Sequence, residues 1–202
     1  MNLDELLTEM PQLIKGLSKT EDLSIQAVNK AKYVELIKIT DKREYSRFSD
    51  TKIVYEYRRM FFCLDTLNKK ILYYMQYDTS YAKTLGSFLW QSLVWRDENS
   101  PQVNTLPHKI FFDKLLPKWG IVATDGRQTK DGKRFWQYQV TYALEQKINV
   151  YYFNLKTKEL EQIETVDHFD NVIRKYDIWG DSKDHQNKLI VISIFNLPKN
   201  NE

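Results

Sequence analysis

Acidic side chains follow two apolar segments of this sequence, at points where strands are expected to end. Glu98, with Arg96 close by, comes just after the apolar run 88–95, and Asp125 comes directly after 121–124. An α/β sheet places functional groups at the carboxyl ends of its strands. A carboxylate there can orient an amine, or act as a general base if burial raises its pKa. Glu98 and Asp125 are therefore candidate catalytic residues, with a rim salt bridge or a helix cap as the alternative.

The polar connection 177–186 combines an aromatic residue, a glycine and several ionisable groups. Trp179 and His185 would contact a substrate if this connection closes as a lid. The alternative is a solvated loop that is held by one anchoring tryptophan. The three histidines of the chain have no partners among themselves at short spacing, so the pattern does not predict a metal site.

Two further motifs have the wrong spacing or position for the chemistry they suggest. Five residues separate Gly126 from Gly132, where a phosphate-binding P-loop needs four, and Arg134 stands where that loop needs a serine or threonine. A helix that begins with Thr129 as its N-cap is the simpler interpretation. The acidic and basic side chains of 145–147, a pattern found in metal-dependent nucleases, fall at a predicted helix end and not on adjacent strands.

The first third of the chain changes from helical to strand-like periodicity. Apolar residues recur at steps of three and four over 3–17, which predicts an amphipathic helix, and a second helix is expected over 21–32. β-Branched and aromatic residues then dominate 33–39, 53–64 and 71–77, which predicts a strand followed by a hairpin.

The remainder alternates strands and helices. This order predicts a mixed α/β fold, with a mixed sheet flanked by helices. We find no repeat and no linker, so one domain is expected over 1–202, with a helical segment at 1–32 and a core at 33–196. The predicted elements are strand 88–95, helix 104–117, strand 121–124, helix 130–146, strand 149–154, helix 167–175 and strand 189–195.

The order of these elements resembles the GNAT family of acyl-coenzyme A-dependent N-acyltransferases. The phrase IVATDGRQTKDGKRFW at 121–136 is similar to one found in GNAT-like proteins of phages and mobile elements. The resemblance covers roughly residues 50–195. It implies a GNAT-like fold, an acetyl-CoA or other acyl-CoA donor, and a small-molecule or protein amine as acceptor.

The resemblance also implies roles for individual residues. Glu98 or Asp97 would deprotonate the amine, and Tyr142 or Tyr138 would protonate the leaving thiolate. The loop and helix start after strand 88–95 would hold the coenzyme pyrophosphate. The cofactor-binding candidates are Asn104, Thr105, Leu106 and His108, and the substrate-binding candidates are Arg96, Gln128, Trp179 and His185, beside the catalytic set Glu98, Asp125 and Tyr142.

The proposed pyrophosphate loop departs from the family pattern. A working GNAT carries glycines there, because unobstructed backbone N–H groups bind the phosphate oxygens. Residues 99–108 contain no glycine and include Pro101 and Pro107, which lack N–H groups. A second hypothesis is therefore a catalytically silent GNAT-like domain that binds another macromolecule, with tryptophans as interface anchors.

Composition limits the remaining classes of function. The 202 residues include 30 basic and 27 acidic side chains, a net charge of +3, in alternating order, so there is no strong nucleic-acid signal. Cys63, the only cysteine, lies in an apolar run and is expected to be a buried structural thiol. Neither a signal peptide nor a run of about 18 apolar residues is present, so we expect no membrane association and a cytoplasmic location.

Overall fold

The computed structural model describes residues 23–124, 130–179 and 187–198. The helices are α1 (Gln26–Ile37), α2 (106–119), α3 (Lys130–Glu145) and α4 (Val166–Tyr176), and α2 has a π-helical middle turn at Phe111–Leu115. The strands are β1 (Arg43–Ser49), β2 (Lys52–Tyr57), β3 (Met60–Asp65), β4 (Lys70–Ala82), β5 (Gly86–Arg96), β6 (Ile121–Ala123), β7 (Asn149–Asn154), β8 (Leu160–Ile163) and β9 (Lys188–Ser193). The fold is thus mixed α/β, as predicted.

The described chain divides into two compact units, and β4 and β5 each contribute residues to both. We call residues 23–77 and 92–107 the first unit, and the described residues of 78–91 and 108–198 the second unit. Each unit has its own apolar cluster. The expectation that 1–202 forms a single domain stays a prediction.

In the first unit, α1 replaces a predicted strand. The sequence of 33–39 predicted a strand, but residues up to Ile37 are helical. Asn29, Tyr33 and Leu36 are buried and lie at the spacing of one helix face. The strand prediction was wrong because tertiary burial of this face outweighs the β propensity of the local residues. The helix predicted at 3–17 lies outside the described residues.

The first unit also contains the antiparallel series β1 to β4. The segment 53–64 was predicted as one strand, yet it forms parts of β2 and β3. A turn at 58–59 separates them, with Arg58 in the left-handed region at φ 52°. The hairpin partner 71–77 falls within β4, as expected, and the neighbouring β1 was missed.

In the second unit, the strand order is β5, β6, β9, β7, β8. β5 and β6 are parallel, with Leu89 opposite Val122, whereas β9 is antiparallel to both of its neighbours. The last strand in sequence therefore lies between β6 and β7. Helix α3 packs against β7, and α4 packs against β8.

Element bounds in this half follow the sequence patterns closely. The strand predicted at 149–154 is β7, and the helices predicted at 104–117 and 130–146 are α2 and α3 within two residues at each end. Gly120, at φ 74°, ends α2. The short strand β8 was missed. No helix in the described part of the chain is both long and apolar enough to cross a membrane.

Candidate functional site

Three of the predicted site residues cannot be placed. Asp125, Gln128 and His185 lie outside the described residues. The others fall in different units: Arg96, Glu98 and 104–106 belong to the first unit, and His108, Tyr142 and Trp179 to the second. The predicted crevice that would unite them stays a prediction.

The predicted pyrophosphate loop is bonded largely to itself. The backbone N–H groups of Ser100, Val103 and Asn104 donate to the carbonyls of Asp97, Ser100 and Pro101, at 3.1, 3.1 and 3.0 Å. These bonds form the turn and the 3₁₀ helix Pro101–Val103 that lead into α2. Amides that are already bonded in this way cannot also point at a phosphate.

Asp97, not Glu98, is the carboxylate that this loop fixes. Asp97 accepts hydrogen bonds from Lys70 Nζ at 2.8 Å, from Ser100 Oγ at 2.8 Å and from the Asn99 N–H at 3.2 Å. Burial alone would raise the pKa of Asp97, but the bonds from Lys70 and Ser100 outweigh burial and hold the pKa below its ordinary value. Glu98 is exposed. A low-pKa carboxylate that is paired with a lysine is a poor base near pH 7.

Arg96 pairs with one of the predicted cofactor-binding residues. Its side chain is 5% exposed, and its Nη1 donates to Asn104 Oδ1. Its Nε is buried and has no hydrogen-bond partner among the described residues. Burial lowers the pKa of Arg96, although an arginine remains charged. Thr105 is exposed and Leu106 is buried.

In the second unit, two predicted residues meet between α2 and α3. The ring of His108 contacts Tyr142 edge-on at a centroid distance of 4.5 Å, and Tyr138 and Phe112 lie at 5.0 and 4.9 Å. His108 Nδ1 is 3.0 Å from Gln139 Oε1. Burial lowers the pKa of His108, so its imidazole is neutral near pH 7. A neutral histidine within an aromatic cluster joins two helices and offers no charge to a phosphate.

Trp179 is held by two contacts within the second unit. Lys133 Nζ donates to its backbone carbonyl, and its ring contacts Phe169 edge-on at 5.8 Å. Its indole is half-buried. These contacts fit an anchoring tryptophan. The lid hypothesis for 177–186 stays a prediction, since 180–186 lie outside the described residues.

One ionisable cluster joins β8 to α4 and was missed by sequence reasoning. Glu161 accepts from Lys175 Nζ at 2.8 Å, from the Tyr176 hydroxyl at 2.6 Å and from His168 Nε2 at 3.1 Å. Burial would raise the pKa of Glu161, but these bonds lower it to about 2. The stable charge points to a structural role. The helical spacing of His168 and Lys175 was the only signal in the sequence.

A polar cavity in the first unit was also missed. It has a volume of about 430 Å³ and lies between the start of α1, the β3–β4 turn and the end of β5. Lys30, Lys69 and Lys70 contribute to its wall, together with Trp95 and Asp97. Its lining comes from three distant parts of the sequence, so no local motif could have revealed it.

The comparisons with known proteins do not supply an identity. No protein-family model matches this chain, and neither a curated protein nor a solved structure matches it. Within 23–124, 130–179 and 187–198, no three histidine, cysteine, aspartate or glutamate side chains are grouped in a way that could hold a metal ion.

Proposed function

We propose that this chain is a GNAT-like protein. The strand order of the second unit supports the assignment, because the parallel strands β5 and β6 flank α2 in sequence and β9 lies between β6 and β7. The resemblance itself rests on the order along the chain, in which β5, α2, β6, α3, β7 and β9 follow one another in this succession. The phrase at 121–136 that is similar to one in GNAT-like proteins of phages contains β6 and the first residues of α3.

We further propose that the protein binds a ligand without transferring acyl groups. The observation that carries this proposal is the self-bonded loop, in which the amides of Ser100, Val103 and Asn104 are occupied by carbonyls of the same loop. Pro101 and Pro107 have no N–H to offer. The pyrophosphate of coenzyme A would have to break three short-range hydrogen bonds, each of which contributes about 1 kcal/mol, before it gained replacements.

The tryptophans do not support a macromolecular interface. Trp95 and Trp136 are buried, at 2% and 1% exposure, and Trp90, Trp119 and Trp179 are half-buried. None of the five is fully exposed, so none is available as a protruding interface anchor. The ligand of a silent GNAT-like domain is therefore better sought in a cavity.

Isothermal titration with acetyl-coenzyme A, together with an acyl-transfer assay, tests the proposal that the protein does not transfer acyl groups. We expect no saturable heat at millimolar ligand and no acyl transfer to an amine panel. Saturable heat that is abolished by Thr105→Trp, at the exposed residue before α2, would overturn this proposal.

The second candidate function is an acyl-CoA-dependent N-acyltransferase. It is favoured by the position of the α2 N-terminus. This end of the helix follows β5, which is parallel to β6, and its first N–H groups have no partner within the helix. If this candidate is correct, Glu98→Gln and Asp125→Asn should lower turnover and leave the melting temperature nearly unchanged. Loss of stability without loss of turnover would remove Asp125 from the catalytic set.

A further inference from the structure

We propose that the cavity of the first unit binds a phosphate group carried on a small molecule. We call it the lysine cavity, and it is defined by Lys30, Lys69, Lys70, Trp95, Asp97 and the side chain of Asn29. Its volume of about 430 Å³ lies within the range of small-molecule sites in proteins, roughly 300–1,000 Å³. Asn99 of the predicted pyrophosphate loop also lines the cavity, but Ser100, Val103 and Asn104 do not.

The charges of the described lining residues favour a dianion. Three lysines and a single carboxylate line the cavity, which leaves a net charge of +2. Asp97 neutralises only Lys70, to which it is bonded at 2.8 Å. Lys30 and Lys69 are exposed, and neither has a carboxylate or carbonyl partner among the described residues. A phosphate monoester carries about −1.5 to −2 at pH 7, which complements the two ammonium groups of Lys30 and Lys69.

Trp95 also lines this wall, and its indole carries a buried N–H donor. Trp95 is 2% exposed, and its indole Nε1 is buried without a hydrogen-bond partner in the described structure. Tryptophan can donate but cannot accept, so this position suits an oxyanion and cannot bind an ammonium group. The nitrogen is inaccessible in the ligand-free structure, so a phosphate oxygen would pair with this donor after a movement of the indole side chain.

Hydrogen bonds fix the backbone of the cavity wall, which favours a preformed site. Asp65 is 1% exposed and bonds both the Asn68 N–H and the Asn68 amide group, at 3.0 and 2.8 Å. These bonds fix the β3–β4 turn and place Lys69 at φ 51°, in the left-handed region. Asn29 bonds α1 to the backbone of β4. The lysines therefore extend from a backbone that needs no rearrangement on binding.

Two-dimensional NMR of the indole N–H groups is the direct test. The Trp95 signal is assigned with Trp95→Phe, and the protein is titrated with adenosine 5′-monophosphate, inorganic phosphate and uncharged adenosine. We expect a saturable shift of the Trp95 signal with the monophosphate and weaker binding of inorganic phosphate, which leaves most of the cavity empty. Adenosine alone should not saturate the signal.

Lysine variants show whether charge carries the binding. Lys30→Met and Lys69→Met retain the aliphatic stem, and each should weaken the monophosphate about tenfold, as expected for loss of one charge-assisted contact. Lys38→Met is the matched control, because Lys38 is an exposed lysine at the end of α1 that does not line the cavity. It should leave binding unchanged.

Several outcomes would overturn the inference. No Trp95 shift at about 10 mM of either phosphate ligand would reject the site altogether, since millimolar affinity is the weak limit of specific binding. Equal affinity for adenosine and its monophosphate would reject phosphate recognition. Equal affinity for inorganic phosphate and for the monophosphate would show that the cavity does not recognise the molecule that carries the phosphate. Acetyl-coenzyme A binding that responds to Thr105→Trp but not to Lys69→Met would contradict only the proposal that the protein has lost acyl transfer. The failure of that proposal and the failure of the cavity proposal are therefore distinguishable.

Discussion

Asn29→Ala should destabilise the first unit more than any exposed substitution on α1. Asn29 is 7% exposed and its amide bonds two backbone segments at once. Its Oδ1 accepts from the Ile71 N–H at 2.7 Å, and its Nδ2 donates to the carbonyls of Ile71 and Leu23, each at 3.1 Å. One side chain thus fastens α1 to the first residues of β4.

The expected magnitude follows from these three bonds. A hydrogen bond contributes about 1 kcal/mol net, so the alanine variant should lose about 3 kcal/mol of unfolding free energy. Unpaired groups of Ile71 would add to the loss, although water in the adjoining cavity can replace part of what is removed. For a chain of this size, about 3 kcal/mol corresponds to a fall in melting temperature of roughly 6–12 °C.

Urea unfolding measures the loss of unfolding free energy in Asn29→Ala, and hydrogen exchange locates it. Exchange of the Ile71 amide should accelerate more than that of its strand neighbours, because its acceptor is the deleted Oδ1. Val34→Ala is the control, since Val34 lies on the same helix and is 44% exposed. A loss below about 1 kcal/mol with unchanged Ile71 exchange would refute the bonding role.

Asn29→Asp separates the acceptor from the donor. The carboxylate can still accept from Ile71 N–H, but it faces two carbonyls that lose their donor. Burial and these carbonyls should raise the pKa of the introduced carboxyl in the folded state. At low pH the introduced carboxyl is protonated and can donate a hydrogen bond, which favours the folded protein. The variant should therefore lose stability as pH rises. If the stability of this variant relative to wild type rises with pH, the two hydrogen bonds from Asn29 Nδ2 to backbone carbonyls are contradicted.

Three further outcomes follow from contacts elsewhere. Burial raises the pKa of Cys63 to about 12, so a thiol reagent should not modify it until the protein unfolds; fast labelling of native protein would contradict this. Glu161→Gln should cost about 1 kcal/mol at pH 7. The pKa of Glu161 is lowered from 4.5 to about 2 in the folded protein, so the carboxylate contributes its full stabilisation above pH 4.5. The difference in stability between the variant and wild type should shrink as pH falls towards 2. A difference that grows in acid would contradict this prediction. Gly86→Ala and Gly120→Ala both place a side chain at positive φ, so melts should show a loss of about 1 kcal/mol for each. The Phe195 ring, which a side chain at 120 would meet, is 54% exposed and can move aside.

Local patterns in the sequence determined most of the second unit. The run at 149–154 is bounded by polar residues and is apolar enough for a buried strand, and it forms β7 at those bounds. Glycine at 120 can adopt φ 74° without strain, so it ends α2 within two residues of the predicted end at 117. The burial of Cys63 follows from its apolar neighbours and is confirmed at 0% exposure. Each of these features depends on residues a few positions apart.

Only the tertiary structure decided which segments meet. The helical state of Tyr33 and Leu36 depends on a β4 surface far along the chain, which local β propensity does not report. The position of β9 between β6 and β7 depends on strand pairing across the chain, which no periodicity encodes. The lysine cavity brings Lys30, Lys69 and Trp95 together from three elements, and each looks like an ordinary surface or core residue in sequence. Propensity and periodicity are short-range properties, whereas a binding cavity is made by long-range contacts.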